Sequence, residues 1–374
     1  MKFEISRSVL LNAIQSVASA ASTTTKDTLP ILQHILIRLT HEQLRMTATN
    51  LEIELSSVTG CIENGIQVSV IGELTVPARK FMDVVRAFPE ETIKIELAKD
   101  NKLSIKCGRS RFTLSVLNAM DYPNSIEINP VDSITVHEGM FKKALNAVFH
   151  AAAVNDVRYY LNGVHLDFNK IHGLNIVATN GHRLSIENLA VDSKNDWNMI
   201  IPIGTIDKIL KLLEDSEEQL KLLYMKNFFS FSKDNVMLKA KLVDGIFPDY
   251  QRVIPKDSQV TVIIDRESLL SVIKRVLCVM SDRNTPASFE FSQSMLIIYG
   301  KNDANEHADE SIEISTSSDI KSPIIVGLNC RYIAEALSSI ETELVKIGLN
   351  DSLSPCLIEP LDGCGKRVIM PTRL

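Results

Sequence analysis

The sequence predicts an α+β protein made of three copies of one domain, each with two helices packed on antiparallel sheets. Two kinds of segment each recur three times at nearly constant spacing, the second at 125 residues each time, and the stretches between them alternate apolar and polar side chains.

The first recurring segment is an alternating strand that enters an amphipathic helix. It reads FEISRSVLLNAIQSV from Phe3, ITVHEGMFKKALNAVF from Ile134 and VTVIIDRESLLSVIKRVL from Val260. Leu10, Leu11, Ile14 and Val17, and in the third copy Leu269, Leu270, Ile273 and Val276, keep the spacing of one helix face. The second segment is a strand end, a turn, a helix and a further strand: TVPARKFMDVVRAFPEETIKIEL, IIPIGTIDKILKLLEDSEEQLKLLYM and IVGLNCRYIAEALSSIETELVKIGL. Val76, Ile201 and Val326 are equivalent across its copies. Boundaries near Asn129-Pro130 and Pro255-Lys256-Asp257 give domains 1–129, 130–255 and 256–374. LPILQHILIRL, LRMTATNLEIELSSV, GLNIVATNGHRLSIENL and SMLIIYG, rich in β-branched residues and bounded by Asn, Asp and Gly, read as strands, about eight per copy.

With 374 residues, 45% of them apolar and 23% charged, the chain can build sizeable cores, which excludes a disordered protein. No apolar run approaches the roughly 18 residues of a spanning helix, so no membrane association is expected. Forty basic against 46 acidic residues leave a net charge of −6, so any contact with phosphate must be local. Cys61, Cys107, Cys278, Cys330, Cys356 and Cys364 form no CxxC pair and read as reduced packing residues. MKFEISRSVLL lacks an apolar leader region, and a cytoplasmic protein is expected.

Motifs for chemistry are sparse. Gly363-Cys364-Gly365-Lys366 lacks the spacing of a phosphate loop and has Arg367 where the hydroxyl residue belongs, so a hairpin turn is preferred. His182, Arg183 and Ser185, with Asp156 upstream, could be recast as a hydrolase or transferase site. No nucleophile elbow flanks Ser185, and a binding histidine is preferred. The eight histidines show no HxxxH or HExxH pair, so neither a metal nor any other cofactor is expected. Asp303, Glu306, Asp309, Glu310 and Glu313 read as a solvated loop or as half of a charge-matched interface. Basic residues lie on the predicted helices: Arg79, Lys80 and Arg86; Lys142 and Lys143; Lys208 and Lys211; Lys274 and Arg275. Each set alone is an ordinary solvent face, but a helix pair repeated three times could put all but one helix on a common basic surface; the exception carries Glu335, Glu341 and Glu343.

DVRYYLNG (Asp156 to Gly163), TNGHRL (Thr179 to Leu184), KLVDGIFPDYQRV (Lys241 to Val253) and VIMPTRL (Val368 to Leu374) closely resemble the bacterial sliding clamps, the beta subunits of DNA polymerase III. MKF, TLPIL from Thr28, TVPARKF from Thr75 and GRSRF from Gly108 extend the resemblance over essentially the whole chain. It implies the DNA clamp fold, with each chain forming half of a six-domain ring. The ring is a head-to-tail homodimer around duplex DNA, a non-catalytic processivity factor associated with the nucleoid during replication. Geometry permits this: six domains of about 125 residues, each roughly 35 Å across, enclose a hole roughly 35 Å wide, ample for a duplex.

Carried over by motif, Lys26, Asn155, Arg158, Tyr159 and Tyr160 join Arg79, Lys80, Arg86, Lys142, Lys143, Lys208 and Lys274 as contacts to duplex DNA without sequence specificity. The resemblance also implies a cleft for short linear motifs of the polymerase III catalytic subunit, the clamp loader, other polymerases and repair proteins. Its walls would be Leu161, Thr179, Gly181, His182, Arg183, Leu184, Pro248, Val253, Val368, Ile369, Met370, Pro371, Thr372, Arg373 and Leu374, with His182, Arg183, Arg252, Asn329 and Tyr332 fixing polar ends. Asn180, Thr372 and Pro355 depart from the residues usual in the family, which predicts altered rim contacts. For the subunit contact the resemblance implies Arg109, Arg111 and Leu114 on the first domain and Val279, Met280, Glu306, Asp309 and Glu310 on the third. A scaffold that binds peptides without DNA is the remaining alternative.

Overall fold

The computed structural model describes the chain except for residues 23–28, 90, 99–101, 124–128, 193–194, 281–285, 318, 362 and 374. Lys26 and Leu374 therefore lie outside the described residues.

The first repeat contains β1 (Lys2–Ser6), α1 (Arg7–Ala18), β2 (His34–Leu39), β3 (Gln43–Thr49), β4 (Ile53–Gly60), β5 (Gln67–Val70), β6 (Gly72–Pro77), α2 (Ala78–Ala87), β7 (Thr92–Leu97), β8 (Lys102–Cys107) and β9 (Ser110–Ser115). The second contains β10 (Asp132–His137), α3 (Glu138–Phe149), β11 (Gly163–Asn169), β12 (Gly173–Thr179), β13 (Arg183–Leu189), β14 (Trp197–Pro202), α4 (Ile203–Leu212), β15 (Gln219–Met225), β16 (Phe228–Lys233) and β17 (Val236–Lys241). The third contains β18 (Val260–Asp265), α5 (Arg266–Leu277), β19 (Pro286–Phe291), β20 (Met295–Lys301), β21 (His307–Glu313), β22 (Ser315–Thr316), β23 (Ile324–Asn329), α6 (Cys330–Ser338), β24 (Leu344–Leu349), β25 (Cys356–Pro360) and β26 (Lys366–Ile369).

The helices follow from local sequence. Ser6, Asp265 and Asn329 cap α1, α5 and α6 by accepting backbone N–H bonds, whereas Pro77 and Pro202 carry a strand straight into α2 and α4. The turn expected before these helices is therefore absent. In α1 the buried stripe is Leu10, Ala13, Ile14 and Val17; Leu11 sits at its margin. In LPILQHILIRL only the second half is strand, because Pro30–Gln33 forms a 3-10 turn with proline at its start. The acidic stretch is only partly a loop: Asp303 and Glu306 lie in the turn after β20, whereas HADESIE is β21, with Ala308 and Ile312 against the core, Glu310 on that same face paired with Arg275, and Asp309 and Glu313 outward. Among the described residues, no helix is long and apolar enough to cross a membrane and no cluster of His, Cys, Asp or Glu could hold a metal.

The chain divides into two compact units, Met1–Thr135 with Leu220–Lys241, and Val136–Gln219 with Leu242–Leu374. In the first, α1 packs beside α2 and over β3 and β4; in the second, α3 lies beside α4 on β12 and β13, and α5 beside α6 with β20 and β21 beneath it. An eight-stranded sheet runs β10-β15-β16-β17-β4-β3-β2-β6, and a nine-stranded sheet runs β14-β11-β12-β13-β26-β25-β24-β18-β22. Sheets of five (β5-β1-β7-β8-β9) and four (β21-β20-β19-β23) strands complete the fold.

The two long sheets are joined alike, by the last strand of one repeat pairing with an equivalent strand of the preceding repeat. At the helix starts, the N–H groups of Arg7, Glu138 and Arg266 donate to the carbonyls of Glu91, Glu218 and Glu343. Four residues on, Ile95, Leu222 and Ile347 lead across the ladders through Ile105, Phe231 and Ile358 to Phe112, Leu238 and Arg367, which are thereby equivalent. On the receiving strands Leu55, Ser185 and Ala308 are equivalent, each opposite the penultimate residue of the preceding strand. Leu238 stands opposite Leu55, and Arg367 opposite Ser185.

Candidate functional site

Antiparallel pairing of β13 with β26 sets Leu184 directly opposite Val368, with both side chains on one face of the sheet. Leu161, from a 3-10 turn at Tyr159–Leu161, and Tyr250, from a second at Tyr250–Val253, pack against them. The result is a cleft of about 260 Å³ lined by Leu161, Thr179, Leu184, Pro248, Val253, Val368 and Met370, with Arg158, Tyr160, Gly181, Arg183, Asp249 and Tyr250 completing it. It is largely apolar, open at the mouth and edged by a few polar groups, the chemistry that receives an extended peptide.

The TNGHRL turn holds this shape. Thr179 Oγ1 accepts from the Gly181 N–H and donates to the Arg183 carbonyl, while Asn180 Oδ1 accepts from the N–H groups of His182 and Arg183. Asn180 Nδ2 also reaches Tyr332 Oη at 3.5 Å. Gly181 has φ +86°, which is the reason the turn favours glycine; a Cβ there would lie 2.9 Å from the Arg158 guanidinium, which would have to move aside.

The expected site residues divide by what already binds them. Arg158 bonds Asp156 through two nitrogens and the Asn180 carbonyl through one, which holds the Asp156 carboxyl down at about 2. It and Tyr160 stand at the cleft, whereas Asn155, on the preceding loop, and Tyr159, at the start of the 3-10 turn, are exposed. Arg183 does not offer a free cation. Its guanidinium bonds Glu335 and the His150 carbonyl and lies 4.3 Å from the Tyr332 ring centroid. Asn329 caps α6, and Tyr332 lines a neighbouring polar hollow with His182. Ile369 faces away from Val368 into the core of the third repeat, as alternation along a strand requires. Arg252 is exposed and pairs with Asp249, and the Thr372 N–H ties the segment after β26 to Gly327; Pro371 is half-buried and Arg373 exposed. Asp249 and Tyr250 were missed by sequence reasoning, although both fall within KLVDGIFPDYQRV.

Ser185 does have a histidine partner, but it is His150, with Oγ 3.2 Å from Nε2. Ser185 is 1% exposed, and burial with the positive charges of Arg183 and Arg367 lowers His150 to about 3. His182 stands apart on the exposed turn, so the arrangement presents no nucleophile to a substrate. His165, stacked on Phe247 with centroids 4.4 Å apart, is likewise lowered by burial, to about 4. Both rings are neutral when folded and protonate near 6.5 when unfolded. Their contribution is complete above that value and lost as pH falls towards 4, on the order of 3 kcal/mol each. Urea midpoints measured from pH 7.5 to 4.5 should fall, and His165→Phe should flatten the fall; an unchanged slope would contradict the assignment.

On the helices, Arg79, Lys80, Arg86, Lys143 and Lys274 are exposed, while Lys142 and Lys208 are half-buried. Lys143 lies 3.8 Å from Asp215. The only base of α1, Arg7, bonds the carbonyls of Val85 and Arg86, so the basic set belongs to α2 through α5. Arg109, Arg111 and most of β9 are exposed, with Leu114 half-buried. Glu306 and Asp309 are exposed on or beside β21, and Glu310 pairs with Arg275. Met280 is buried at 8% exposure in the third-repeat core and Val279 is half-buried, so Met280 is no ready contact surface.

Residues 1–126, 135–249 and 251–373 match the family models for the N-terminal, central and C-terminal domains of the DNA polymerase III beta subunit. The beta sliding clamp of Pseudomonas aeruginosa is 32% identical with both chains fully covered, and that of Escherichia coli K12 is 30% identical over the same extent. A crystal structure of the Pseudomonas aeruginosa subunit superposes with a TM-score of 0.93 at 32% identity over the whole of both chains. The chain therefore belongs to the DNA polymerase III beta-subunit family, the beta sliding clamps of DNA replication.

Proposed function

We propose that two copies of this chain close head to tail into a ring around duplex DNA and capture replication and repair proteins by short peptides laid in the cleft, without catalysing a reaction. The observation that carries this is the pair of sheet junctions inside the chain. Each joins the last strand of one repeat to the strand equivalent to β4 in the repeat before it, and among the described residues β9 and β21 are the copies left as sheet edges. Applying the same register to them puts Phe112 of one chain opposite Ala308 of the other, and Arg111 opposite Asp309. An apolar pair is thus flanked by opposite charges, in a heterologous contact that closes after two chains.

The exposed bases of α2, α3 and α5 supply a sequence-independent attraction for phosphate in a chain whose net charge is −6. A ring is retained by topology, so these contacts can stay weak enough for sliding. The test is retention on a nicked circular DNA with a clamp loader and ATP supplied, before and after the circle is cut. Retention on the circle and release on linearisation is the expected result; equal behaviour on both DNAs would overturn encirclement.

A further inference from the structure

The cleft does not end at Tyr250. On the far side of that ring lies a second, more open cavity of about 570 Å³, lined by His172, Asn175, Ile186, Asn188, Tyr250, Gln251, Ile254, Pro255, Lys256, Gly365 and Lys366. Tyr250 is shared by both, and Ile186 and Ile254 belong to the apolar cluster that also holds Leu161, Leu184 and Val368. One apolar floor therefore runs beneath both compartments. The partition is fixed: Tyr250 Oη donates to Asp167 Oδ2 at 2.6 Å, and the ring is buried.

The two compartments differ in charge. The second has His172, Lys256 and Lys366 in its lining, three amide side chains, and no carboxylate. Carboxylates beside it are engaged: Asp167 by Tyr250, Glu187, next to Gly365, by Arg367, and Glu359 by Lys346 at 3.3 Å, with Lys366 at 4.0 Å. No ion pair of Lys256 occurs among the described residues.

Resting on the reading of the first compartment as a peptide cleft, we propose that the second receives an acidic flank of the same bound peptide, its backbone crossing Tyr250 and its carboxylates meeting Lys256 and Lys366. Continuity of the floor sets the path and charge sets the sequence class: apolar anchors for the first compartment, Asp or Glu beyond one end. Asn188 Nδ2 donates to Asn175 Oδ1 and to the His172 carbonyl, so these two amides brace the wall of the second compartment.

The test uses the full-length protein and fluorescein-labelled Ser-Leu-Ser-Leu-Phe, whose alternate residues can anchor in a cleft, extended at either end by three Asp or three Ser. Fluorescence anisotropy at low salt should show the Asp extension binding about fivefold more tightly than the Ser extension at one end only, with the gain shrinking as salt rises. Lys256→Glu with Lys366→Glu should erase that gain and leave the Ser-extended peptide unchanged. Val253→Asp, in the first compartment, should abolish binding of both. Equal affinities for Asp and Ser extensions, or a gain that survives the double lysine variant, overturns the acidic-flank assignment while leaving the cleft intact. A Ser-extended peptide that fails to bind the wild-type protein, or whose binding ignores Val253→Asp, overturns the cleft reading and this inference with it.

Discussion

Phe112→Asp is expected to yield a folded chain that sediments as a monomer and is no longer retained on circular DNA. Phe112 is 43% exposed on an edge strand and makes a T-shaped contact with Phe88, with ring centroids 5.4 Å apart. Its two equivalents, Leu238 and Arg367, are both fully buried where their strands meet a neighbour, so an exposed aromatic at the third such position marks a strand still lacking one. In the proposed ring, covering that side chain at the subunit contact would contribute about 1.5–3 kcal/mol. A carboxylate there would forfeit this and face Ala308 between the like charges of Glu306 and Glu310, so dimer dissociation should strengthen about a hundredfold or more. The thermal transition should move little, because the side chain is not part of the chain's own core. The register itself is checked by charge exchange: Arg111→Glu and Asp309→Arg should each weaken the dimer, and the two together should restore most of it. A dimer unaffected by Phe112→Asp would exclude this edge as the contact.

Much of this was legible in the sequence because it depends on short-range patterns. Six amphipathic helices, the threefold spacing and the alternation of most strands are local properties, and the motifs carried the cleft's Leu184, Val368 and Gly181. Alternation alone would also have removed Ile369, which follows Val368 and must face the other way. What could not be read is what depends on partners distant in the chain. Arg183 reads as a free cation until Glu335, 152 positions away, occupies it. The bond from Arg158 to the Asn180 carbonyl, 22 positions away, is equally invisible in the sequence. HADESIE reads as a loop because only two of its inward positions are apolar, and its strand character comes from pairing with β20. The register linking the repeats belongs to the same class, since only the ladders show which residues stand opposite.

Lys239→Met should destabilise the chain by about 3–5 kcal/mol, and joining it with Glu54→Leu should recover most of the loss. Lys239 and Glu54 stand directly opposite each other where β17 meets β4, with Nζ 3.0 Å from Oε1 and both side chains buried. Removing the ammonium alone leaves a carboxylate in a site largely shut off from water, a penalty larger than the attraction lost; replacing both by apolar groups removes both desolvation penalties together. For a unit of this size the single variant should lower the thermal midpoint by roughly 10 °C. The other in-chain junction has its own buried pair, Arg367 with Glu187, with Arg367 1% exposed and bonded also to Ser339 and the Ile186 carbonyl. Two junctions with different residues thus meet the same need, since a strand slipped by two positions would bury an unpaired charge. The double variant lacks that penalty, so it should regain stability but show amide exchange in β4 and β17 faster than wild type at equal global stability. If exchange there is unchanged, the pair adds stability without fixing register, and side-chain packing around Leu55 and Leu238 must set it alone.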